Sequence, residues 1–124
     1  MGSGSGGKSS TDAWGYSSMS YDIRLVIDTG GEFPASVTET QSPTYNLREM
    51  FKLALGKPIR ELDGQLASDV IPVLRTAIAA MEDKPATFNK LNPPNGWGDY
   101  GGALNSLRWL LEQCLQHPKA TVQI

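Results

Sequence analysis

The side chains that are best suited to bind a ligand lie in one proline- and glycine-rich segment, residues 92–100. Its amide, indole, carboxylate and phenol groups precede a predicted helix, whose first N–H groups are unpaired and could hold a carbohydrate, a peptide or an anionic ligand. A structural alternative is that the indole folds back as a lid over the helical core while the asparagines satisfy the turn. The predicted binding residues are Asn92, Asn95, Trp97, Asp99 and Tyr100.

A carboxylate at the end of a predicted strand is the second candidate. The string Ile27-Asp28-Thr29-Gly30 resembles the active-site sequence of retroviral-type aspartic proteases, in which a dimer brings two aspartates together and one keeps a proton. That family is nearly all β, whereas this chain has a helical pattern after residue 44. The sequence therefore favours a turn in which Asp28 accepts backbone N–H groups. A small hydrolase that uses Asp28 is the enzymatic alternative.

The other reactive side chains form no catalytic or metal-binding set. His117 precedes Pro118 at a predicted helix end, where an imidazole commonly satisfies free carbonyls. Cys114 falls on an apolar helix stripe, which favours an inert buried thiol. The scattered carboxylates lack calcium-loop spacing and are expected to be solvated; they are Glu61, Asp63, Asp69, Glu82 and Asp83. We therefore expect no catalytic residue, no metal site and no cofactor.

Composition restricts the class of protein. The chain has 124 residues, of which 40% are hydrophobic, and a formal net charge of −2. This composition fits one globular domain, and a broad basic face for nucleic acid is not expected. The sequence contains no apolar run of the roughly 20 residues that a bilayer core requires, so we expect no membrane span.

The chain divides into two segments of different composition. Residues 1–18 are rich in glycine and serine and include the aromatic residues Trp14 and Tyr16, so we expect a flexible leader. The leader is interpreted either as a remnant of an expression vector, with Met19 as the natural start, or as an aromatic anchor for a partner or for the rest of the chain. Residues 19–124 are predicted to form a single domain.

Alternating apolar residues predict three strands. Residues 21–27 are β-branched and apolar at alternate positions, residues 36–41 alternate again, and residues 120–124 alternate at the end of the chain. A hairpin through the glycine-containing loop at residues 30–34 is the simplest pairing of the first two strands. The last strand most simply pairs with the first.

Helical periodicity predicts three to four helices between these strands. Asn46 and Glu49 have the spacing of a capping box, and Gly56 stands where that helix should end. Ser68 is the predicted cap of the next helix, with Pro72 in its first turn, and Pro85 can start a short one. Asp99 is the predicted cap of the longest helix, residues 100–116, and Pro118 ends it. Its predicted core stripe, widened by Trp109 and Leu110, comprises Leu104, Leu107, Leu111, Cys114 and Leu115. The expected fold is α+β, with the helices packed on one face of a small antiparallel sheet.

Several short strings lie along the chain, namely Ser20-Tyr21-Asp22-Ile23, Asp28-Thr29-Gly30, Tyr45-Asn46-Leu47, Glu61-Leu62-Asp63-Gly64, Asn92-Pro93-Pro94-Asn95-Gly96-Trp97-Gly98-Asp99-Tyr100 and His117-Pro118. Together they resemble small proteins of actinobacteria and their phages. The resemblance covers about residues 19–124 and leaves the leader outside. It implies no reaction, ligand or catalytic residue, but it favours a bacterial or phage accessory protein in the cytoplasm.

The sequence as a whole favours a non-enzymatic binding or interaction module. Its partner is expected to be a protein or a small polar ligand, and the chain to be a monomer or a homodimer. A structural or assembly subunit, which would make its contact through a sheet edge or the leader, is the main alternative.

Overall fold

The computed structural model describes residues 19–96 and 98–124, so the leader and Trp97 lie outside the described residues. Within the described residues three strands are formed, β1 (Arg24–Ile27), β2 (Ala35–Ser36) and β3 (Thr121–Gln123). The described chain between β2 and β3 contains four α-helices, namely α1 (Arg48–Leu55), α2 (Ala67–Asp83), α3 (Pro85–Asn89) and α4 (Tyr100–Gln116). The predicted α+β class and the predicted order of elements are confirmed.

The sheet is antiparallel with β1 at its centre, in the order β2-β1-β3. Arg24 is opposite Gln123 and Leu25 is opposite Val122, so the last strand pairs with the first, as predicted. Leu25 and Val122 are fully buried in the core with side chains from α1, α2 and α4. Because successive side chains of a strand point to opposite faces, Arg24 and Gln123 lie on the outer face, away from the helices.

The predicted second strand, residues 36–41, is interrupted, and this is a correction. The N–H of Leu25 donates to the Thr38 hydroxyl, so it makes no backbone hydrogen bond to the second strand at this point. Pairing resumes at Gln41, which exchanges backbone hydrogen bonds with Ile23. Two extra residues are therefore accommodated in a bulge between Ser36 and Gln41.

The outer edge of β3 is covered by the turn before α2. Gly64 donates to the carbonyl of Val122, and Val122 donates to the carbonyl of Gln65. The first N–H groups of α2 also find backbone partners, because Ala67 donates to Ala120 and Ser68 donates to Pro118. The predicted Ser68 cap is therefore wrong, since these backbone bonds satisfy the first turn of α2. The helix begins at Ala67, and Pro72 lies in its second turn and not, as predicted, in its first.

The predicted Asn46 cap is also wrong. Thr44 accepts the N–H of Asn46 and starts a 3₁₀ turn, Tyr45–Leu47, which leads directly into α1. The Asn46 side chain is buried and donates to the same Thr44 hydroxyl. The end of α1 is as predicted, since Gly56 has a φ of +78° and its N–H donates to the carbonyl of Lys52.

Helix α4 has the predicted bounds, but its buried stripe is rotated from the predicted one. Leu107, Leu110 and Cys114 are fully or almost fully buried, whereas Leu115 is 48% exposed and Leu111 is half-buried. Leu110 therefore belongs to the core and Leu115 does not. Among the described residues, no helix has both the length and the apolar composition needed to cross a membrane.

Candidate functional site

The loop between α3 and α4 is fastened by the side chain of Asn92. Its Oδ1 accepts the N–H of Tyr100 at 2.8 Å, and its Nδ2 donates to the side-chain oxygen of Asn89 at 3.1 Å. One amide thus joins the end of α3 to the first residue of α4. Asn92 holds the two ends of the loop together.

Asp99 and Tyr100 fix the start of α4. The Asp99 carboxylate accepts the N–H of Gly102 at 2.7 Å, which confirms the predicted cap. The Tyr100 hydroxyl donates to the carbonyl of Met81 near the end of α2, also at 2.7 Å. Both side chains therefore make hydrogen bonds within the protein, and with Asn92 they support the loop.

The backbone of Gly98 lies unusually close to the turn before α1. A Cβ atom on Gly98 would lie 2.6 Å from Cγ2 of Thr44 and 3.0 Å from Cγ of Leu47. The φ of Gly98 is +107°, a conformation that L side chains rarely adopt. Both the contact and the conformation require glycine here, so the loop and residues 44–47 form one packed surface.

A groove of about 290 Å³ runs beside this contact. One wall is residues 41–44 with Leu47, and the other is Gly98 with the first turns of α4. The polar side chains that line it are hydroxyls and amides, and none of them is titratable; they are Gln41, Ser42, Thr44, Asn105 and Ser106. Such a surface can exchange hydrogen bonds with a neutral polar partner.

The structure brings some of the predicted site residues together. Asn92 and Tyr100 are hydrogen-bonded, and Asp99 caps the helix that Tyr100 begins. Asn95 is half-buried within the same loop, and Trp97 lies outside the described residues. Of the segment 92–100, Gly98 lines the groove, whereas Asn92, Asn95, Asp99 and Tyr100 are not among its lining residues. The only sequence feature on the wall opposite Gly98 is the polar run at residues 41–44.

Asp28 adopts the turn role expected from its sequence context. It is exposed, and its Oδ1 accepts the N–H of Gly30 at 2.8 Å. Gly30 has a φ of +79°, as the turn requires. The carboxylate thus stabilises the start of the hairpin loop.

The thiol is buried as the sequence predicts, whereas the bond shown at His117 is made by its backbone and not by its imidazole. Cys114 is fully buried, and burial raises the pKa of its thiol to about 11, so the reactive thiolate is disfavoured. His117 is the residue at the C-terminal end of α4, and its N–H donates to the carbonyl of Gln113. Within residues 19–96 and 98–124, no cluster of three or more histidine, cysteine, aspartate or glutamate side chains could hold a metal ion.

Two further hollows are formed by described residues outside the groove, and the first of them borders the start of the loop at Leu91. One of about 440 Å³ is mainly apolar and involves Leu53 and Leu91. The other, of about 510 Å³, lies on the outer face of the sheet and is lined largely by charged and polar groups, among them Arg24 and Arg60. Neither was predicted from the sequence.

Comparison with known proteins gives no match to a protein-family model, and none to a curated protein or a solved structure at significant similarity. The function is therefore inferred from the geometry of the chain itself.

Proposed function

We propose that this protein is a non-enzymatic binding module whose contact surface is the groove between residues 41–44 and the start of α4. The observation that carries the proposal is the close contact of Gly98 with Thr44 and Leu47. This contact packs two segments that are distant in the sequence into one continuous surface. Asn92 holds this loop at both ends, and Pro93 within it is buried. A surface ordered in advance loses little conformational entropy when a partner binds.

The chemistry of the groove supports binding of a neutral polar group. Its polar lining consists of hydroxyls and carboxamides, which donate and accept hydrogen bonds but do not transfer protons near neutral pH. The backbone of an extended peptide segment offers the matching N–H and C=O groups. We therefore propose a partner protein that presents such a segment.

The origin and location of the protein are part of the same proposal. The resemblance of residues 19–124 to small actinobacterial and phage proteins supports a bacterial or phage accessory protein that acts in the cytoplasm.

The test is selection of short random peptides displayed on phage against the full chain. The selected peptides should bind the parent and the variant Gln116→Arg, in which the new charge stands on the exposed last turn of α4. They should fail to bind Asn105→Arg, which places the same charge in the groove on the same helix. Equal binding to all three proteins, or no enrichment of any peptide, would contradict the proposal.

A second candidate function, assembly of a homodimer, is favoured by the hairpin between β1 and β2. Phe33 is 75% exposed at its tip, and β2 is an edge of the sheet. An apolar tip beside an open edge can pair with a second copy of the chain. Sedimentation of the parent and of Phe33→Ser would test it: a parent dimer that the substitution dissociates supports assembly, and a monomeric parent contradicts it.

A further inference from the structure

The hollow on the outer face of the sheet has a different chemistry from the groove. The two share no lining residue, and this cleft contains guanidinium and carboxylate groups. Arg24 comes from β1, and Arg60 from the 3₁₀ turn Ile59–Leu62 that follows α1. The cleft is therefore a second surface, formed on the side of the sheet that the helices do not cover.

Arg60 is held in place by two aromatic rings. Its guanidinium carbon lies 5.2 Å from the ring centre of Tyr21 and 5.5 Å from that of Tyr45. Its Nη2 donates to the Tyr45 hydroxyl at 2.9 Å. Cation–π contacts and this hydrogen bond orient the planar group at little further entropic cost.

Arg24 is oriented from the other side of the cleft. Its Nε donates to the side-chain oxygen of Gln123 at 2.9 Å, and its Nη1 makes a longer contact of 3.4 Å with the Thr40 hydroxyl. Within the part of the chain that the structure describes, neither Arg24 nor Arg60 has a carboxylate at ion-pairing distance. Both guanidinium groups are therefore held in place by neighbouring side chains, and they keep N–H donors that can bind an anion.

The carboxylates of the same cleft are engaged by the protein's own donors. Asp22 accepts from the Ser42 hydroxyl at 3.1 Å, and Asp63 accepts the N–H of Ile124 at 2.8 Å. With two arginines and two aspartates, the formal charge of these four side chains is zero. Because these charges cancel, the four side chains give a doubly charged phosphate no net electrostatic advantage over a single carboxylate, and recognition depends on the arginine donors.

We propose that this cleft binds a glutamate or aspartate side chain of a peptide segment, with Arg24 and Arg60 as the donors that recognise its carboxylate. The ring of Tyr45 forms part of the wall against which the methylene groups of a glutamate can pack. The cleft and the groove share no described lining residue, although Ser42 of the groove donates to Asp22 of the cleft, and the variants at Arg24 and Arg60 test the cleft alone.

The test uses fluorescence anisotropy with three labelled, end-blocked peptides that differ at one central position, which carries glutamate, glutamine or phosphoserine. The glutamate peptide should bind the full chain, and the glutamine peptide should bind at least about tenfold more weakly. Arg24→Gln and Arg60→Gln should each weaken binding of the glutamate peptide about tenfold or more, because a charge-assisted hydrogen bond is lost. Arg75→Gln, at an exposed arginine of α2, is the matched control and should leave binding unchanged.

Two further variants separate recognition from folding and from general charge. Arg60→Lys keeps the charge but loses the planar fork, and should bind between the parent and Arg60→Gln. Asp22→Asn removes a repelling carboxylate and should tighten binding of the glutamate peptide. Stronger binding of the phosphoserine peptide, an equal loss in Arg75→Gln, or absence of binding by the glutamate peptide would overturn the proposal.

Discussion

The side-chain oxygen of Asn92 accepts the backbone N–H of Tyr100 at 2.8 Å, which closes a loop of eight residues onto the start of α4. The Tyr100 side chain then reaches in the other direction and donates to the carbonyl of Met81 in α2. These bonds connect α2, the loop and α4. The loop is consequently fixed to the two longest helices, and it can present one wall of the groove without rearrangement.

Replacement of Asn92 tests which of its two hydrogen bonds matters. Asn92→Ala should lower the free energy of unfolding by about 1 kcal/mol, because the N–H of Tyr100 loses its acceptor. Asn92→Asp keeps an acceptor close to a helix N-terminus and should retain most of the stability. Urea unfolding measures both. Equal losses in the two variants would show that the bond to Tyr100 contributes little.

Two glycines of the loop allow a controlled test of the contact with Thr44, because Gly98 makes this contact and Gly96 does not. Both have positive φ, +77° for Gly96 and +107° for Gly98, but a Cβ on Gly96 meets nothing within 4 Å. Gly96→Ala should therefore cost only backbone strain, about 1–2 kcal/mol. Gly98→Ala should cost about 1–3 kcal/mol more, because its methyl group collides with Thr44 and Leu47. Thermal and urea unfolding that gave equal losses would contradict the close packing.

Helix α4 offers a comparison of a core leucine with a surface one. Leu107 is fully buried, and Leu107→Ala should cost about 2–5 kcal/mol of unfolding free energy. Leu115 is 48% exposed, so Leu115→Ala should cost less than about 1 kcal/mol. Urea denaturation of the two variants is the measurement. Similar losses of about 2–5 kcal/mol in both variants would instead support the stripe expected from the sequence, which contains both leucines.

Burial of Cys114 predicts a loss of stability at alkaline pH. The pKa of the thiol rises to about 11 in the folded protein from 9.0. The folded state therefore holds its proton over a range in which the unfolded chain has released it, and stability falls as pH rises from 9 to 11. The loss should be on the order of 2 kcal/mol.

The matched variant for this pH dependence is Cys114→Ala. It should start less stable at neutral pH, because it leaves a small cavity, and should lose less stability between pH 9 and 11. Parallel curves for parent and variant in urea unfolding across this range would show that other groups cause the decline.

The sequence predicted the architecture because its main determinants are local. Paired glycines end β1, Gly56 ends α1 and Asp99 begins α4, and each acts through its own backbone or its nearest neighbours. The alternation at the end of the chain was sufficient to pair the last strand with the first.

The predictions of secondary structure fail where a residue distant in the sequence makes the hydrogen bond that a backbone group needs. The start of α2 is determined by the carbonyls of Pro118 and Ala120, about fifty residues away in the sequence, so the local Ser68 was misleading. The break in the second strand depends on the Thr38 hydroxyl, which a hydrophobic pattern does not reveal.

The groove itself was not predicted, for the same reason: of the segment 92–100, Gly98 lines it and the described predicted binding residues do not. Amide and aromatic residues in an irregular loop indicated residues 92–100, and Asn92, Asp99 and Tyr100 do organise that loop. The opposite wall comes from residues 41–44, which reach the loop only because Gly98 has no side chain. Such a contact depends on tertiary packing and leaves no pattern in the sequence.

The central claim, that the groove is the binding surface, is tested most directly by two-dimensional amide NMR of the full chain during titration with a peptide selected by display. The account predicts that the largest shifts fall on Thr44, Gly98, Gly102 and Ser106, which line or adjoin the groove. The amides of Arg24 and Phe33, in the outer cleft and at the hairpin tip, should remain unchanged. Largest shifts at Arg24 or at Phe33, with the groove amides unmoved, would contradict it.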